Sequence, residues 1–531
     1  MAQSTTFSGS SPATEQRKLE WIGVTPRELV GFLAMVFGMF MAILDIQIVS
    51  ASLSEIQAGL SASGDEIPWV QTSYLIAEVV MIPLSGFLAR ALSTRVLFTA
   101  SAIGFTIASV LCATATTIDQ MIAYRALQGF IGGGMIPSVF AVAFSLFPPS
   151  KRSIVSPMIG LVATLAPTIG PTVGGYLSNT FSWHWLFLVN VVPGILVAVA
   201  VYLFVDFDKP DRSLFRRFDF IGLGAMALFL GSMEYVLEEG PRYDWLDDTT
   251  IAIFTALCIA GCVAFFARVL TAEQPIVDLR AFRDRNFAFG SAFSFILGIG
   301  LYGLTYLYPV FLSEVRGYDA LMIGETMFVT GVAMFLTAPL AGRLSQVMDP
   351  RAMMIGGFLG FALGTYIASF ITVDWDFYEL LLPQILRGCS LMLCMVPINN
   401  LALGTLPPDQ LKNASGLYNL MRNLGGAVGL ALINTVLNNR TDLHLARLHE
   451  SVAWGRAVAE DALAGLTQQL SAQISDGDLA ALKQLARLVR RQAVVMSFAD
   501  VFIVLTALFA GMALMAVFMN KPAEGVQGAG H

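Results

Sequence analysis

Polar residues interrupt this chain at intervals of a few dozen positions, and long apolar runs lie between them. A helix needs about 20 residues to cross the ~30 Å hydrocarbon core of a bilayer. Fourteen runs meet that length, at 29–51, 68–89, 95–114, 119–146, 153–177, 184–205, 217–238, 249–271, 286–312, 320–346, 351–372, 379–404, 412–438 and 493–518. They predict an all-α polytopic membrane protein, with a polar tail over 1–28 and a second over 519–531. The segment 439–492 has a different pattern. Leu463, Leu466 and Leu470, then Leu479, Leu482, Leu485 and Leu488, recur at helical spacing among polar residues, with a break at Ser475-Asp476-Gly477-Asp478. It predicts an external helical hairpin.

Composition agrees with the pattern. Of 531 residues 56% are hydrophobic and 13% charged, against roughly 25% charged in an average soluble chain. The first apolar run is too long for a signal-peptide core and no small-residue cleavage site follows it, so none of it is expected to be removed. Five cysteines (Cys112, Cys258, Cys262, Cys389, Cys394) all fall inside predicted helices with no CxxC, and read as small apolar fillers. The four histidines (His184, His444, His449, His531) form no paired ligand set, so neither a metal nor a membrane-embedded metalloenzyme is expected. No phosphate-binding G-x-x-x-x-G-K-[ST] loop is present, which excludes an ATP motor in this chain. Nothing calls for a cofactor or a nucleic-acid partner.

The net charge of −7 says less than its distribution. With a cytoplasmic N-terminus, the tails and even-numbered connections hold 19 Lys/Arg, while the short loops on the other side hold Arg242 and Arg316 alone. The positive-inside rule therefore predicts that both termini are cytoplasmic.

The chain also repeats itself. Leu53-Ser54-Glu55 recurs as Leu312-Ser313-Glu314, Pro83-Leu84-Ser85-Gly86 as Pro339-Leu340-Ala341-Gly342, and Gly129 with Pro148-Pro149 as Gly388 with Pro407-Pro408, at offsets of 256 to 259. This maps helices 1, 2 and 4 onto helices 9, 10 and 12. Two six-helix bundles follow, at 29–205 and 286–518 (the latter including 439–492), with 206–285 as a connector carrying the inserted helices 7 and 8. Parallel six-helix repeats characterise rocking secondary transporters, whose substrate site lies between the halves.

Three motifs in register carry a resemblance. Helix 5 reads Ala166-Pro-Thr-Ile-Gly170-Pro171-Thr-Val-Gly174-Gly175, helix 4 Arg125-Ala-Leu-Gln128-Gly129, and helix 1 Leu44-Asp45-Ile-Gln47-Ile-Val-Ser50. The stretches Pro68-Trp69-Val-Gln-Thr-Ser-Tyr74, Trp185-Leu-Phe-Leu-Val-Asn190 and Pro275-Ile-Val-Asp278 belong with them. On these residues the chain resembles the major facilitator superfamily, in particular its fourteen-helix drug:proton antiporters of the EmrB/QacA type, and within them the EmrB-like branch. The glycine-proline stretch of helix 5, with Gly170, Pro171, Gly174 and Gly175, is similar to the antiporters' conformational motif. The chain departs from the family pattern in the loop after helix 2, where Arg90 and Ser93 stand where the pattern has an acid and a glycine. Gln47 and Ser50 depart in helix 1.

Ionisable groups that persist in membrane helices usually face a cavity, since at a helix centre each costs about 2.5–3.5 kcal/mol on insertion scales. Asp45 is the leading candidate for a proton carrier, and Glu78 and Glu325 are further coupling or cation-binding acids; the resemblance implies that Arg125 is the partner of Asp45 and tunes its proton affinity. Glu234, Glu314 and Asp500 read instead as rim residues near the outer interface. Gln47, Gln128, Tyr302, Tyr306, Arg387 and Asn399 are candidates for the substrate surface. The resemblance implies proton-driven export of hydrophobic or amphipathic toxic compounds from a bacterial inner membrane. For 439–492 it implies a surface for a periplasmic adaptor leading to an outer-membrane channel, with a lid or spacer as the other reading. Export of one metabolite or siderophore is the second reading; a passive channel is disfavoured by the two-half repeat.

Overall fold

The computed structural model describes residue 19 and residues 22–50, 52–452, 456–471 and 476–518. The two termini, and Ser475 of the expected break, lie outside the described residues. Every regular element among the described residues is helical, and fourteen helices are long and apolar enough to span a bilayer. In chain order they are α1 (Pro26–Ser50), α2 (Trp69–Leu92), α3 (Thr94–Ala113), α4 (Ile118–Leu146), α5 (Pro149–Thr180), α6 (Trp185–Phe204) and α7 (Phe220–Glu239). There follow α8 (Thr249–Thr271), α9 (Arg285–Arg316), α10 (Leu321–Val347), α11 (Pro350–Ala368), α12 (Phe377–Leu403), α13 (Leu411–Ser451) and α14 (Gly477–Val517).

Several loop acids are where they are because helix N-termini leave backbone N–H groups unpaired. Asp219, Asp248, Asp284, Asp319, Asp349 and Asp376 each cap the start of one of helices α7 to α12 in turn. Prolines inside α2, α5, α9, α10 and α12 are tolerated because neighbouring helices and side chains take up the freed carbonyls.

Helices α1–α6 pack as one bundle and α9–α14 as another; α7 and α8 pair with each other. The bundles meet along two seams, α5 against α10 and α2 against α13. At the end carrying the basic loops both seams are closed. Gln346 Nε2 of α10 donates to Ser153 Oγ of α5 at 2.5 Å, and beside it Arg152 Nη1 and Ser156 Oγ of α5 reach the Gly404 carbonyl and Asn400 Oδ1 at the end of α12 at 2.6 and 2.9 Å; Lys412 Nζ donates to the Ala89 carbonyl at 3.0 Å. Toward the other end α7 lies between α2 and α13. Thr72 Oγ1 donates to Glu239 at 3.3 Å on one side; Trp245 Nε1 reaches Thr435 Oγ1 at 3.0 Å on the other.

The external segment differs from its expectation. Rather than forming a separate hairpin over 439–492, it is built from the ends of the membrane helices themselves: α13 runs on to Ser451 and α14 begins at Gly477, with a helix Ala457–Ser471 between them. The polar residues after 438 remain helical because α13 and α14 pack on each other, and His444 Nε2 meets Asp500 Oδ2 at 2.8 Å across that contact.

Candidate functional site

Asp45 is the twentieth residue of α1, five short of its end at Ser50, or about 7.5 Å at 1.5 Å per residue. It thus lies toward the end opposite the basic loops rather than mid-helix. Its side chain is wholly buried, and three donors reach it: Arg125 Nη1 to Oδ2 at 2.7 Å, Gln128 Nε2 to Oδ1 at 3.2 Å and Asn190 Nδ2 to Oδ1 at 2.6 Å.

Each donor is held by a further contact. Arg125 Nη1 also donates to Gln128 Oε1 at 2.7 Å and its Nε to the Val70 carbonyl at 3.2 Å; its guanidinium carbon sits 4.3 Å from the centre of the Tyr74 ring. Ser109 Oγ accepts from both Gln128 and Asn190, at 3.2 and 3.0 Å. Helices α1, α3, α4 and the turn leading into the second half of α6 thus converge on one carboxylate. A buried ion pair is tolerated only when its remaining donors and acceptors are satisfied, and here, among the described residues, Arg125 Nη2 alone of the guanidinium nitrogens has no partner.

The glycines of α5 bring α1 close beneath this network. A Cβ on Gly170 would stand 2.3 Å from the Cβ of Gln47, and one on Gly174 2.7 Å from the Ile48 carbonyl. Gly175 is buried on the same helix, and Pro171 interrupts its hydrogen bonding. Gln47 is therefore a half-buried residue of the α1–α5 contact, two positions from the acid.

The other candidates fall in two further places. Near the middle of the second bundle, Arg387 is buried, donates through Nη2 to Thr305 Oγ1 and leaves Nε and Nη1 without partners. Asn399 Oδ1 accepts from Tyr418 at 2.5 Å and Arg422 donates to Asn419 at 2.5 Å, while Asn399 Nδ2 and Arg422 Nε and Nη1 have no partner among the described residues. Tyr302 and Tyr306, half-buried on α9, donate to Asn423 and Asn434 of α13 at 3.2 and 2.8 Å. Gln128 belongs wholly to the Asp45 network and shows no free polar atom in this conformation.

Glu78 is buried near the middle of α2, at 3% exposure, with no hydrogen bond to a described residue; the charges acting on it are Arg125, Arg422 and Asp45. Glu325 is exposed, in a cleft of about 310 Å³ between α5 and α10 lined by Thr168, Ile169, Thr172, Val173, Gly324 and Phe328. The structure does not bring Glu325 to the Asp45 network. Glu234, expected at a solvated rim, is 6% exposed instead, because α7 lies against α2 and α13 and covers it.

Sequence reasoning passed over Asn190 and Ser109 as site residues. Asn190 stands inside one of the motifs that carry the resemblance, but its amide takes on meaning only once α6 is laid beside α1. The departure after helix 2 also has a structural answer. Ser93 adopts φ +81°, ψ 153°, a backbone region suited to glycine. The acid at this corner comes from the connector: Asp208 accepts from Thr94 N at 3.0 Å, from Thr94 Oγ1 at 2.9 Å and from Lys412 of α13.

Fourteen helices in two bundles with an inserted pair, around a buried acid–arginine network, define a secondary transporter fold. The major facilitator superfamily model matches residues 35–430, and the chain belongs to that superfamily. Among curated relatives, it is 43% identical over 490 residues to the "Colistin resistance protein EmrB" of Acinetobacter baumannii, covering 92% of this chain and 96% of that protein. It is 32% identical to the "Multidrug export protein EmrB" of Escherichia coli (79% and 82% covered), and 30% to the "Fatty acid resistance protein FarB" of Neisseria gonorrhoeae (94% and 97%). The human organic anion transporter MFSD10 shares the fold, with a TM-score of 0.58 at 14% identity over 91% of this chain and 100% of that one. A bacterial homologue of the lysosomal transporter Spinster does so at 0.52 and 14%, over 93% and 98%.

Proposed function

We propose that the chain is a proton-driven multidrug exporter of the bacterial inner membrane, moving hydrophobic and amphipathic toxic compounds by alternating access. The observation that carries this reading is the buried Asp45 with its three donors, an acid whose proton would change the pairing of a buried arginine. The names of relatives in Acinetobacter and Escherichia, which speak of colistin resistance and multidrug export, support the substrate class.

With both termini cytoplasmic, the closed basic end faces the cytoplasm and Asp45 lies nearer the outer side. An outward-open state then loads a proton onto Asp45. A neutral carboxyl no longer balances Arg125, and the glycine-lined contact of α5 with α1 transmits the change to the α5–α10 seam. The inward-open state exchanges the proton for substrate. Glu78 and Glu325 are the further acids for coupling or for cationic substrate. Tyr302, Tyr306, Arg387 and Asn399 supply the aromatic and polar substrate surface with Gln47; Gln128 joins it only if the network opens. The extensions of α13 and α14, with the helix Ala457–Ser471, are the surface for a periplasmic adaptor and, through it, an outer-membrane channel.

The direct test is proton release from purified protein on adding candidate compounds in weakly buffered solution. Release by several unrelated hydrophobic compounds is expected. Release by one compound alone indicates a dedicated exporter, and none by any compound that demonstrably binds refutes proton coupling.

A further inference from the structure

The inserted helix α7 carries two acids that the mechanism above leaves unused. Glu234 and Glu238 are four residues apart and share one helix face; Glu234 is buried and Glu238 half-buried. Neither accepts a hydrogen bond from a described residue, unlike Glu239 next to them, which holds Thr72. On the opposing α2, Glu78 is equally buried and without a hydrogen bond to a described residue. By helical rise Glu78 lies ~13 Å, Glu234 ~7 Å and Glu238 ~1.5 Å from the helix ends opposite the basic loops, so the three sit at successive depths.

Aromatic and cationic groups of the second bundle lie on α9 and on α13, against which α7 packs. Tyr302 and Tyr306 of α9 lean onto Asn423 and Asn434 of α13. Tyr302 and Tyr306 have their hydroxyls occupied by asparagines yet keep accessible surface. At the deep end Arg422, 2% exposed, leaves Nε and Nη1 unpartnered. Three carboxyl groups stand against one guanidinium, in a place where an ionised carboxylate without a partner is costly. A compact cation with an aromatic or apolar body answers both features, since tyrosine faces attract cations and the carboxylates balance them.

We propose that α7 supplies a cation-binding subsite, in which Glu234 and Glu238 together with Glu78 hold the charged group of an amphipathic organic cation whose body rests on Tyr302 and Tyr306. The inserted helix pair then serves substrate selection rather than spacing alone. The inference deepens the export reading and rests on it for transport, but binding at this subsite can be measured without it.

The test is equilibrium binding of radiolabelled tetraphenylphosphonium to the full-length protein in nanodiscs, beside proton-driven uptake of the uncharged dye Nile red into proteoliposomes. Glu234→Gln and Glu238→Gln should each weaken phosphonium binding about tenfold, Glu234→Asp should restore it, and Nile red uptake should stay at the wild-type level in all three. Unchanged phosphonium binding in the Glu234→Gln/Glu238→Gln double variant, or no binding by the wild type, overturns the proposal. So does parallel loss of Nile red uptake in Glu234→Gln with the fold intact by thermal unfolding, which assigns Glu234 to the proton path. Failure of the wild type to take up Nile red while phosphonium binding follows the expected pattern refutes the export reading and leaves the subsite standing.

Discussion

Replacing Asp45 with asparagine removes one negative charge and leaves the shape nearly unchanged. The neutral amide cannot balance Arg125, whose guanidinium is 0% exposed, and removing one partner of a buried ion pair costs on the order of 3–5 kcal/mol. Part of that cost is recoverable here, because the new amide oxygen can still accept from Arg125 or Asn190 at the observed 2.7 and 2.6 Å positions. A folded but less stable protein is expected. The functional loss is larger. One proton moving down a pH unit gives about 1.4 kcal/mol and down 100 mV about 2.3 kcal/mol. Their sum allows roughly 500-fold accumulation of a neutral substrate at one proton per molecule. With no titrating group at position 45 that ratio should fall to about 1 in proteoliposomes under the same gradients. Substrate counterflow, which needs no net proton movement, should persist. Proton-driven accumulation close to wild type would refute the reasoning outright. If counterflow is lost as well, Asp45→Glu decides: it retains a titrating carboxylate and should recover part of the accumulation, and its failure to do so while folded counts equally against Asp45 as the carrier.

Four other outcomes follow from particular contacts. Gly174→Ala puts a methyl 2.7 Å from the Ile48 carbonyl, so α5 must move off α1, and transport should drop at least tenfold with little loss of expression. Ser93→Gly relieves a backbone region costing on the order of 1–3 kcal/mol at the expense of a weak cap to Val96, so thermal unfolding in detergent should occur at higher temperature. Asp208→Asn weakens the link between the connector, α3 and Lys412; labelling of a cysteine introduced at the basic end of the α2–α13 seam should speed up as that end opens more often. At the opposite end, the hydrogen bond from Tyr318 at 2.5 Å, then the Phe377 amide and Arg316, hold the Asp376 carboxyl below its ordinary range. A depressed carboxylate stabilises the fold above its unfolded pKa of about 3.9 and loses that contribution as pH falls through the folded value. The unfolding difference between wild type and Asp376→Asn should therefore be full at neutral pH and shrink below about pH 4.

Much of the fold was legible because a bilayer allows few alternatives: an apolar run of the right length has to be a helix, and the fourteen runs are the fourteen spanning helices. The Asp45–Arg125 pairing was legible from the resemblance, which makes the helix 1 acid the partner of an arginine that never loses its charge; charge alone did not dictate it, since Glu78, Arg387 and Arg422 are buried without such a pair among the described residues. What the pattern concealed depends on lateral packing. Glu234 sits five residues from the end of α7, where hydropathy suggests a solvated rim, and its burial follows only from α7 lying between α2 and α13. Asn190 and Ser109 carry no signal in isolation, because an amide or hydroxyl near a helix end most often serves its own backbone. The extension of α13 to Ser451 was hidden in the same way, as its polar residues are kept helical by α14 and not by lipid.

The repeat clarifies which parts of the site are scaffold and which are chemistry. Gly129 of α4 packs on the Tyr74 carbonyl of α2, and Gly388 of α12 on the Thr330 carbonyl of α10. Arg125 Nε donates to the Val70 carbonyl and Gln384 Nε2 to the Thr326 carbonyl. Positions on α2 and α10 here differ by 256, those on α4 and α12 by 259, the same offsets that relate the sequence motifs. The helix contacts are thus duplicated, but the charges are not. Gln384 stands where Arg125 does, and Arg387 stands where Gln128 does, facing Thr305 and the Tyr308 ring at 5.9 Å with no carboxylate among its described partners. One bundle therefore buries a balanced pair and the other a buried cation with open donors. On the proposed mechanism, a proton on Asp45 narrows this difference, leaving each bundle with an arginine that lacks an anion. Arg422 adds a second buried cation to the second bundle and Glu78 a further buried acid to the first, so the proton narrows the charge difference at the Asp45 position alone, and that change gives it a physical means of altering how one bundle sits against the other.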